Sequence, residues 1–339
     1  MGTTGTRVCN AWAPGRVNLI GEHTDYSGGL VLPVAIQYGI SLDVASRDDD
    51  CVSLISDRFG AASPFPADGS GAAAEGWARY AQSVAAELDV LGRPPVGFVG
   101  TLASDLPAGA GLSSSAALEV AVGLALCAVA DFELEPLELA LACQRAELRA
   151  VGVPCGILDQ AAALLGREGY AILLDCGTLE HRLVPLPADA ALVVVDSGVE
   201  HSHETSGYAQ RRRELEAGMP SRVRHVQTEN QRVRDFSAAL ERHDLDAGGR
   251  LLLESHASLR DNYEVSTPEL DLLVELACEA GAYGARLLGG GFGGSVLALT
   301  DVDRADALAR AVSSAYRERT GHEGASVVAL ASAGAGVRR

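Results

Sequence analysis

The sequence predicts an α+β protein of two domains. The chain has 339 residues, a length that corresponds to about two domains at roughly 150 residues per domain. Its first hundred residues carry mostly strand-like patterns, and a helical region follows residue 208 before strands return near the end. Strands and helices are therefore segregated, which is typical of α+β proteins and not of a regular βαβ series.

In the first domain, β-branched stretches predict strands and long apolar periodicities predict helices. The predicted strands cover residues 7–13, 31–46, 51–56, 95–103 and 170–175. The predicted helices cover residues 77–91, 114–130 and 137–151. A Pro-Leu-Pro-Ala-Asp-Ala linker then places the domain boundary near residue 190, which gives domains of residues 1–190 and 191–339.

The second domain is predicted to begin and end with strands. Its predicted strands cover residues 191–196, 284–288, 295–300 and 325–331. Its predicted helices cover residues 208–217, 228–243, 246–260, 268–280 and 302–320. The helix at 268 has proline in its first turn after Ser266 and Thr267, which favours a helix start.

The charge balance excludes several functions. The chain carries 45 Asp and Glu and 27 basic residues, a formal net charge of 27 − 45 = −18. All the basic residues are arginines, so Walker A, protein-kinase and Schiff-base chemistry that depends on lysine is excluded. No basic run could supply the electrostatic term of nucleic-acid binding, so we expect no nucleic-acid partner. The run Arg211 to Arg213 indicates a solvated helical face or buried ion pairs.

Seven cysteines without a C-x-x-C spacing indicate reduced thiols and neither a disulfide framework nor a zinc site. No charge-free apolar stretch reaches 18 residues, and the first residues carry no apolar segment. We therefore expect a cytoplasmic protein with no membrane partner.

The first motif spans residues 13–29 and follows a predicted strand. It holds Arg16, Glu22, His23, Asp25 and Tyr26 between glycines. Carboxylates and an imidazole on a loop can accept hydrogen bonds from sugar hydroxyls, whereas an arginine polarises or neutralises but cannot act as a base. The alternative is a polar surface turn with Glu–Arg pairing, which five such groups in eleven positions make the weaker interpretation.

The second motif, residues 106–119, is a Gly/Ser loop that leads into the predicted helix at 114. The free N–H groups and the positive end of a helix attract anions, so this loop can hold phosphates without lysine. An ordinary N-cap is the alternative. The third motif, residues 287–295, has five glycines in six positions, which allows a backbone to approach a ligand closely or forms a tight structural loop.

Together, in this order, the three motifs resemble the GHMP small-molecule kinases and, within them, the galactokinases. Residues 15–26, Gly-Arg-Val-Asn-Leu-Ile-Gly-Glu-His-Thr-Asp-Tyr, are similar to the galactokinase signature, and residues 152–160, 201–213 and 256–266 are further similar segments. The resemblance implies a two-domain GHMP kinase fold, with a mixed-sheet N-terminal domain, a ferredoxin-like α+β C-terminal domain and the active site between them.

The resemblance also implies the reaction and the catalytic pair. It implies ATP-dependent phosphorylation of the C1 hydroxyl of D-galactose, which gives α-D-galactose 1-phosphate and ADP. Asp159 then faces the sugar hydroxyl as general base, and Arg16 keeps it ionised and stabilises charge on the reacting oxygens. Because phosphoryl transfer is mostly positioning and electrostatics, the timing of the proton transfer stays open.

The remaining site residues follow from the same resemblance. Sugar contacts fall to Glu22, His23, Asp25, Gly156 and Tyr208, and ATP phosphate contacts fall to Gly109, Gly111, Ser113, Ser114 and Ser115. His23 has the alternative of orienting the loop through the backbone, and Tyr208 that of packing over arginine. The glycines 289–294 are expected to close the site without taking part in catalysis.

The last expectations concern a metal ion and the binding partners. Mg²⁺ needs few protein ligands beside phosphate oxygens and water, and the resemblance assigns Ser115 and Glu147 to it. His201 and His203 share one face of an extended segment, but two ligands do not make a metal site. The expected partner is a small-molecule sugar, and the expected state is a monomer or weak homodimer.

Two other functions remain open. One is a related sugar 1-kinase acting on arabinose, a uronic acid or N-acetylgalactosamine. The other is a non-catalytic sugar sensor, which the complete run Ser113-Ser-Ser-Ala-Ala disfavours.

Overall fold

The computed structural model describes residues 6–107, 109–152, 155–199 and 204–338. In chain order the strands are β1 Val8–Asn18, β2 Leu30–Val31, β3 Pro33–Ser46, β4 Cys51–Ser56, β5 Gly60–Ala61, β6 Phe65–Pro66, β7 Phe98–Ser104, β8 Tyr170–Asp175, β9 His181–Pro185, β10 Ala190–Asp196, β11 Gly284–Leu288, β12 Ser295–Asp301, β13 Ser326–Ala329 and β14 Gly336–Arg338. The helices are α1 Ala78–Val90, α2 Ser114–Ala130, α3 Pro136–Val151, α4 Leu158–Leu165, α5 Glu204–Glu216, α6 Pro220–Glu241, α7 Leu245–Ser258, α8 Pro268–Glu279 and α9 Ala305–Thr320.

The first sheet is mixed and has seven strands. Its order is β14-β1-β3-β7-β4-β5, with β6 paired to β4. Strands β4 and β7 run parallel, and the crossover between them contains α1. The other neighbours run antiparallel. The prediction of a mixed sheet in the first domain is confirmed.

Helix α2 forms the centre of the first domain. It packs against β1 and β3 and contacts α1, α3 and α4. Twelve of its 17 residues are buried, because it is apolar on all sides and not on one stripe. The Gly/Ser loop that precedes α2 is therefore attached to the most enclosed helix of the domain.

The second sheet is antiparallel, with the order β11-β12-β10-β13. The chain order of strands and helices gives the β-α-β-β-α-β arrangement of a ferredoxin-like domain. The even-numbered apolar residues of β10 belong to the main core, whereas the odd-numbered ones pack with Leu273 of α8 and Val312 of α9. Both faces of this sheet are therefore buried, which agrees with the uninterrupted apolar sequence of β10.

The two predicted domains are closely connected. A small third sheet, β2-β8-β9, contacts α6 of the second domain. The last strand, β14, returns to pair with β1 in the first sheet. The division at residue 190 stays a prediction. In the described part of the chain no helix is both long and apolar enough to span a membrane.

Most predicted elements are confirmed, and two differences matter for the site. The strand predicted over 7–13 continues to Asn18, because a bulge between Pro14 and Arg16 accommodates the Pro-Gly pair that signals a break. Helix α4 is not predicted, since eight residues carry too little periodicity. Helix α6 begins at Pro220 and not at residue 228. The first difference places Arg16 in a strand, and the second places Asp159 in a helix.

Candidate active site

Arg16 and Asp159 form a bidentate ion pair. The Arg16 Nε donates to Asp159 Oδ1 at 2.7 Å, and its Nη2 donates to Oδ2 at 2.8 Å. Arg16 lies on β1 after the bulge, and Asp159 lies in the first turn of α4. Because each partner is held by a regular element, the geometry of the predicted catalytic pair is fixed.

The carboxylates around Arg16 favour its charged form. Burial alone would lower the pKa of the Arg16 guanidinium, but the carboxylates of Asp159, Glu22 and Asp25 outweigh that effect and raise it. The remaining Nη1 group donates to the Gly111 carbonyl at 2.7 Å. The guanidinium of Arg16, which is always charged, thus contacts both Asp159 and the Gly/Ser loop.

Of the two cavities that Arg16 lines, the smaller opens beside Asp159 and has a volume of about 240 Å³. It brings together all five residues predicted to contact the sugar, together with both predicted catalytic residues and Glu147. Its lining residues are Arg16, Glu22, His23, Asp25, Glu147, Cys155, Gly156, Leu158, Asp159, Tyr208, Gly289 and Gly290. Four carboxylates and one guanidinium therefore face this cavity.

The Glu22 carboxylate is fixed from both domains. Asn18 Nδ2 donates to its Oε2 at 3.1 Å, and the Gly289 N–H donates to its Oε1 at 2.9 Å. Arg286 of β11, which is fully buried, donates through Nη2 to Oε1 at 3.1 Å and through Nε to the Leu19 carbonyl at 2.7 Å. The sequence analysis missed Arg286, although an arginine within the apolar run Gly-Ala-Arg-Leu-Leu signals a buried partner.

His23 uses both ring nitrogens within the protein. Its Nε2 lies 3.1 Å from the Gly290 carbonyl, which can only accept, so Nε2 carries the proton. Burial, with the nearby His225, lowers the pKa of His23 to about 3, so Nδ1 accepts from the Tyr26 hydroxyl at 2.9 Å. Tyr26 in turn lies 2.8 Å from the Tyr263 hydroxyl. This geometry fits the alternative in which His23 orients the loop.

Asp25 and Gly156 face each other across the smaller cavity. A Cβ on Gly156 would lie 1.9 Å from Asp25 Oδ2, so only glycine leaves room for this carboxyl group. Burial, together with the charges of Asp159 and Glu22, raises the pKa of Asp25 to about 7. Asp25 is thus half-ionised near neutral pH and accepts hydrogen bonds more readily as the pH rises.

Tyr208 closes the smaller cavity from α5. Its ring lies 5.6 Å from the His23 ring and 5.1 Å from the Tyr26 ring, centroid to centroid. Within the described part of the chain its hydroxyl makes no hydrogen bond, and burial raises its pKa, so it stays protonated. The alternative of packing over arginine is not what the structure shows, because the nearby Arg212 lies over Tyr26 and Arg211 over Phe292.

The larger cavity, about 680 Å³, lies on the other side of Arg16. The predicted phosphate-binding residues Gly109, Gly111, Ser113, Ser114 and Ser115 all line it. The loop reaches the N-terminus of α2 through left-handed backbone at Gly109, Gly111 and Ser113, with φ of 76°, 68° and 59°. Free N–H groups at the start of a 17-residue helix suit an anion.

The far end of the larger cavity has an aromatic wall, made of Phe59, Trp77 and Tyr80. The sequence analysis missed these residues. Phe59 is 71% exposed, whereas Trp77 and Tyr80 are partly buried against the core. A flat aromatic surface is a common support for a nucleobase.

Comparison with known proteins identifies the family. The galactokinase of Roseiflexus sp. (strain RS-1) is 40% identical over 96% of this chain and 91% of its own length. That of Chloroflexus aurantiacus is 41% identical over 97% and 93%. The chain belongs to the galactokinase family. Family models match the GHMP kinases N terminal domain at residues 79–167, the galactokinase galactose-binding signature at 3–45 and the GHMP kinases C terminal domain at 236–318.

Solved structures agree with this assignment. The structure of Lactococcus lactis galactokinase complexed with galactose has a TM-score of 0.90 and 34% identity, and covers 97% of this chain and 95% of its own. A mevalonate kinase from Methanococcus jannaschii has a TM-score of 0.71 at 17% identity, over 97% and 99%, and so shares the fold alone. The predicted GHMP kinase fold is confirmed.

The predicted Mg²⁺ ligands of this galactokinase family member lie in contact. The Ser115 hydroxyl donates to Glu147 Oε1 at 2.9 Å, and Gln160 Nε2 donates to Glu147 Oε2 at 2.7 Å. Among the described residues no group of three or more His, Cys, Asp or Glu side chains could hold a metal ion. One carboxylate and one hydroxyl between the two cavities fit a Mg²⁺ that takes its other ligands from phosphates and water.

A buried acid lies behind this pair. Gln160 Nε2 also donates to Glu119 Oε2 at 3.0 Å, and Glu119 is fully buried. Burial and the charge of Glu147 raise the pKa of Glu119 to about 10, so Glu119 is a neutral acid at physiological pH. Glu119 and Gln160 end two segments that the sequence analysis names, residues 106–119 and 152–160, but that analysis assigns neither of them a role.

Helix α6 supports the sugar loop of the family signature from the second domain. His225 Nε2 lies 3.1 Å from the Glu22 carbonyl, and Asn230 Oδ1 accepts from the Leu30 N–H at 2.7 Å. Glu229, fully buried, accepts from the Gly21 N–H at 3.1 Å. These residues fall in no recognised motif. His201 and His203 lie outside the described residues.

Asp25→Asn is expected to increase stability at alkaline pH. The unfolded chain ionises Asp25 near 3.8, whereas the folded chain ionises it at about 7. The stability that comes from the neutral acid is present below pH 4 and is lost as the pH rises through 7. Relative to the parent, Asp25→Asn should gain roughly 3 kcal/mol between pH 4.5 and pH 8. Thermal unfolding across this pH range measures the gain.

Asp49→Asn is the control for this measurement. Arg47 donates to the exposed Asp49 carboxylate and lowers its pKa, so the sign is opposite and this variant should lose stability relative to the parent as the pH rises from below the pKa of Asp49 to neutral. A pH-independent difference between Asp25→Asn and the parent would contradict the raised pKa of Asp25.

Proposed function

We propose that this protein is an ATP-dependent galactokinase, which transfers the γ-phosphoryl group of ATP to the C1 hydroxyl of D-galactose. The observation that carries the proposal is the position of the Arg16–Asp159 pair between two cavities. Arg16, Gly289 and Gly290 line both cavities. A sugar in the smaller cavity and the phosphates of a nucleotide in the larger one would therefore meet at Arg16.

The charge of the smaller cavity favours a neutral sugar. Glu22, Asp25, Glu147 and Asp159 face it, and Arg16 is the one basic residue among its lining residues. Arg16 is already paired with Asp159. A uronic acid would bring a further carboxylate against these four, and like charges at close range repel strongly. The uronic-acid alternative is therefore disfavoured, and galactose agrees with the name of the similar proteins.

The sugar contacts follow from which polar atoms remain available. The Tyr208 hydroxyl and the Asp25 carboxyl group face the cavity, and Glu22 keeps acceptor capacity after its three protein contacts. The backbone of Gly156 lies against Asp25. We assign sugar-hydroxyl binding to Glu22, Asp25, Gly156 and Tyr208. His23 contributes its ring surface and holds the loop.

The nucleotide occupies the larger cavity in this proposal. The base lies at the wall of Phe59, Trp77 and Tyr80, and the phosphates lie at the loop from Gly109 to Ser115 and the N-terminus of α2. Ser115 and Glu147 would hold Mg²⁺, which neutralises charge on the phosphate oxygens during transfer.

Asp159 and Arg16 have different roles in the proposed reaction. The sugar O–H bond breaks as its proton moves to the Asp159 carboxylate, and the sugar oxygen attacks the γ-phosphorus while the bond to ADP breaks. Arg16 donates two hydrogen bonds to the Asp159 carboxylate before the step and stabilises negative charge on the transferred group. Gly289 and Gly290, from the second domain, line both cavities at this junction.

A coupled ADP-release assay with Mg-ATP tests the proposal. Galactose, arabinose, galacturonate, glucuronate and N-acetylgalactosamine are compared in parallel. We expect turnover with galactose and at least 100-fold lower kcat/KM with the two uronic acids, since the loss of one polar contact and added repulsion are each worth a factor of about ten or more. Turnover with a uronic acid alone would refute the assigned substrate, and ATP binding without turnover on any sugar would favour a sensor.

The cellular setting is part of the same proposal. Cys51, Cys127, Cys143, Cys155, Cys176 and Cys278 form no disulfide, which supports a reducing, cytoplasmic location. We propose a monomer or weak homodimer, which light scattering at two protein concentrations would test.

A further inference from the structure

Ser113 has a backbone conformation that its residue type does not favour. Its φ and ψ are 59° and 52°, in the left-handed region, where a side chain is strained and glycine is not. The loop uses glycine for such backbone at positions 109 and 111. A serine at a position suited to glycine indicates that its hydroxyl group has a function.

The hydroxyl of Ser113 does not cap the helix that follows. It makes no hydrogen bond to the first turn of α2. Instead it donates to Asp159 Oδ2, across 46 positions in the sequence. A hydroxyl has one proton to donate, so this proton is not available to a phosphate oxygen.

The hydrogen bonds of Asp159 are unequal between its two oxygens. Within the described part of the chain, Oδ2 accepts from Arg16 Nη2 and from Ser113, whereas Oδ1 accepts from Arg16 Nε alone. Each carboxylate oxygen has about two acceptor sites. Protein donors therefore use both acceptor sites of Oδ2, whereas Oδ1 keeps one acceptor site for the substrate. Arg16 and Ser113 together fix the orientation of the carboxylate.

We propose that Ser113 is a positioning residue for the base: its hydroxyl group and Arg16 fix the Asp159 carboxylate so that Oδ1 takes the sugar proton. This inference rests on the proposed function. In the step, the sugar O–H bond breaks and an Oδ1–H bond forms, while the sugar oxygen bonds to phosphorus and ADP leaves. This role of the hydroxyl group differs from the phosphate contact that the resemblance assigns to Ser113.

The test compares Ser113→Gly with the parent. Glycine accepts the left-handed backbone without strain and removes only the hydroxymethyl group, so the fold is kept. We expect kcat with galactose to fall about 10- to 100-fold, as part of the 10²–10⁴ that a general base contributes. The KM for ATP, and the affinity for ATP without sugar, should stay within twofold. Ser114→Ala, at the neighbouring position, should instead raise the KM for ATP.

A double-mutant cycle shows whether Ser113 acts through Asp159. In an Asp159→Asn background, Ser113→Gly should lower kcat by less than twofold, because the carboxylate that it positions is gone. An unchanged kcat with a raised KM for ATP in Ser113→Gly would overturn the proposal. So would equal losses of kcat in the two backgrounds.

Crystal structures of the parent and Ser113→Gly, both without ligands, separate this inference from the proposed function. We expect the Asp159 carboxylate to rotate away from its parent orientation in the variant. If the parent phosphorylates no sugar but the carboxylate rotates, the proposed function fails and the positioning role stands. An unmoved carboxylate would overturn the positioning role whatever the activity.

Discussion

Asp159→Asn is expected to lower kcat with galactose about 1,000-fold, the middle of the range for removal of a general base. The amide has nearly the size of the carboxyl group but cannot take a proton from the sugar hydroxyl. It also brings an N–H donor toward the Arg16 guanidinium, which itself only donates. The coupled ADP-release assay with Mg-ATP and galactose measures the loss, and circular dichroism confirms that the fold is retained.

Asp49→Asn is the matched control, because Arg47 binds Asp49 in the same two-point geometry, at 2.8 and 2.6 Å, on the surface. Loss of that pair should leave turnover unchanged, since exposed ion pairs contribute little. If Asp159→Asn is as active as the parent, Asp159 is not the base.

Gly156→Ala should abolish most galactose turnover while ATP still binds. The new Cβ would lie 1.9 Å from Asp25 Oδ2 and 2.7 Å from Asp25 Cβ, so a swing of the carboxylate alone does not make room. Either Asp25 or the 155–157 segment must move, and a displacement of about 1 Å at a reacting centre costs on the order of 100-fold. We expect kcat/KM for galactose to fall by at least that factor.

The KM for ATP should stay the same in Gly156→Ala, because Gly156 does not line the larger cavity. Gly336→Ala is the control: it adds the same methyl group on β14, where nothing lies within 4 Å. Normal galactose turnover in Gly156→Ala would mean that Asp25 is not needed in its present position.

Periodicity predicts the long elements of this fold well and the short ones poorly. Helix α2 is predicted with its observed ends, because all of its 17 residues except Glu119 are apolar or small. Helix α4 escapes prediction, although it carries Asp159, since its eight residues are held by packing more than by local preference. The strand β1 is predicted too short because the bulge that continues it depends on its partner β3.

The residues of the site also differ in how readily the sequence indicates them. The predicted residues of the sugar and phosphate motifs line the two cavities, and the sequence indicates them because several polar groups crowd between glycines. Arg286, Glu119 and His225 are not found, because each lies within an ordinary strand or helix pattern and acquires its partner only from a distant segment. Ser113 is among the predicted residues, but its hydroxyl group contacts Asp159, which sequence alone could not indicate.

Arg286 has a consequence for how the protein unfolds. Its guanidinium, from the second sheet, donates to the carbonyls of Asn18 and Leu19 and to the carboxylate of Glu22 in the first motif. Separation of the two halves of the chain would leave a buried charge on each side without its counter-charge, which is strongly destabilising. Because each half depends on the other to pair its buried charge, we expect both halves to unfold together in one cooperative thermal transition. The sugar pocket should therefore persist until the whole protein unfolds.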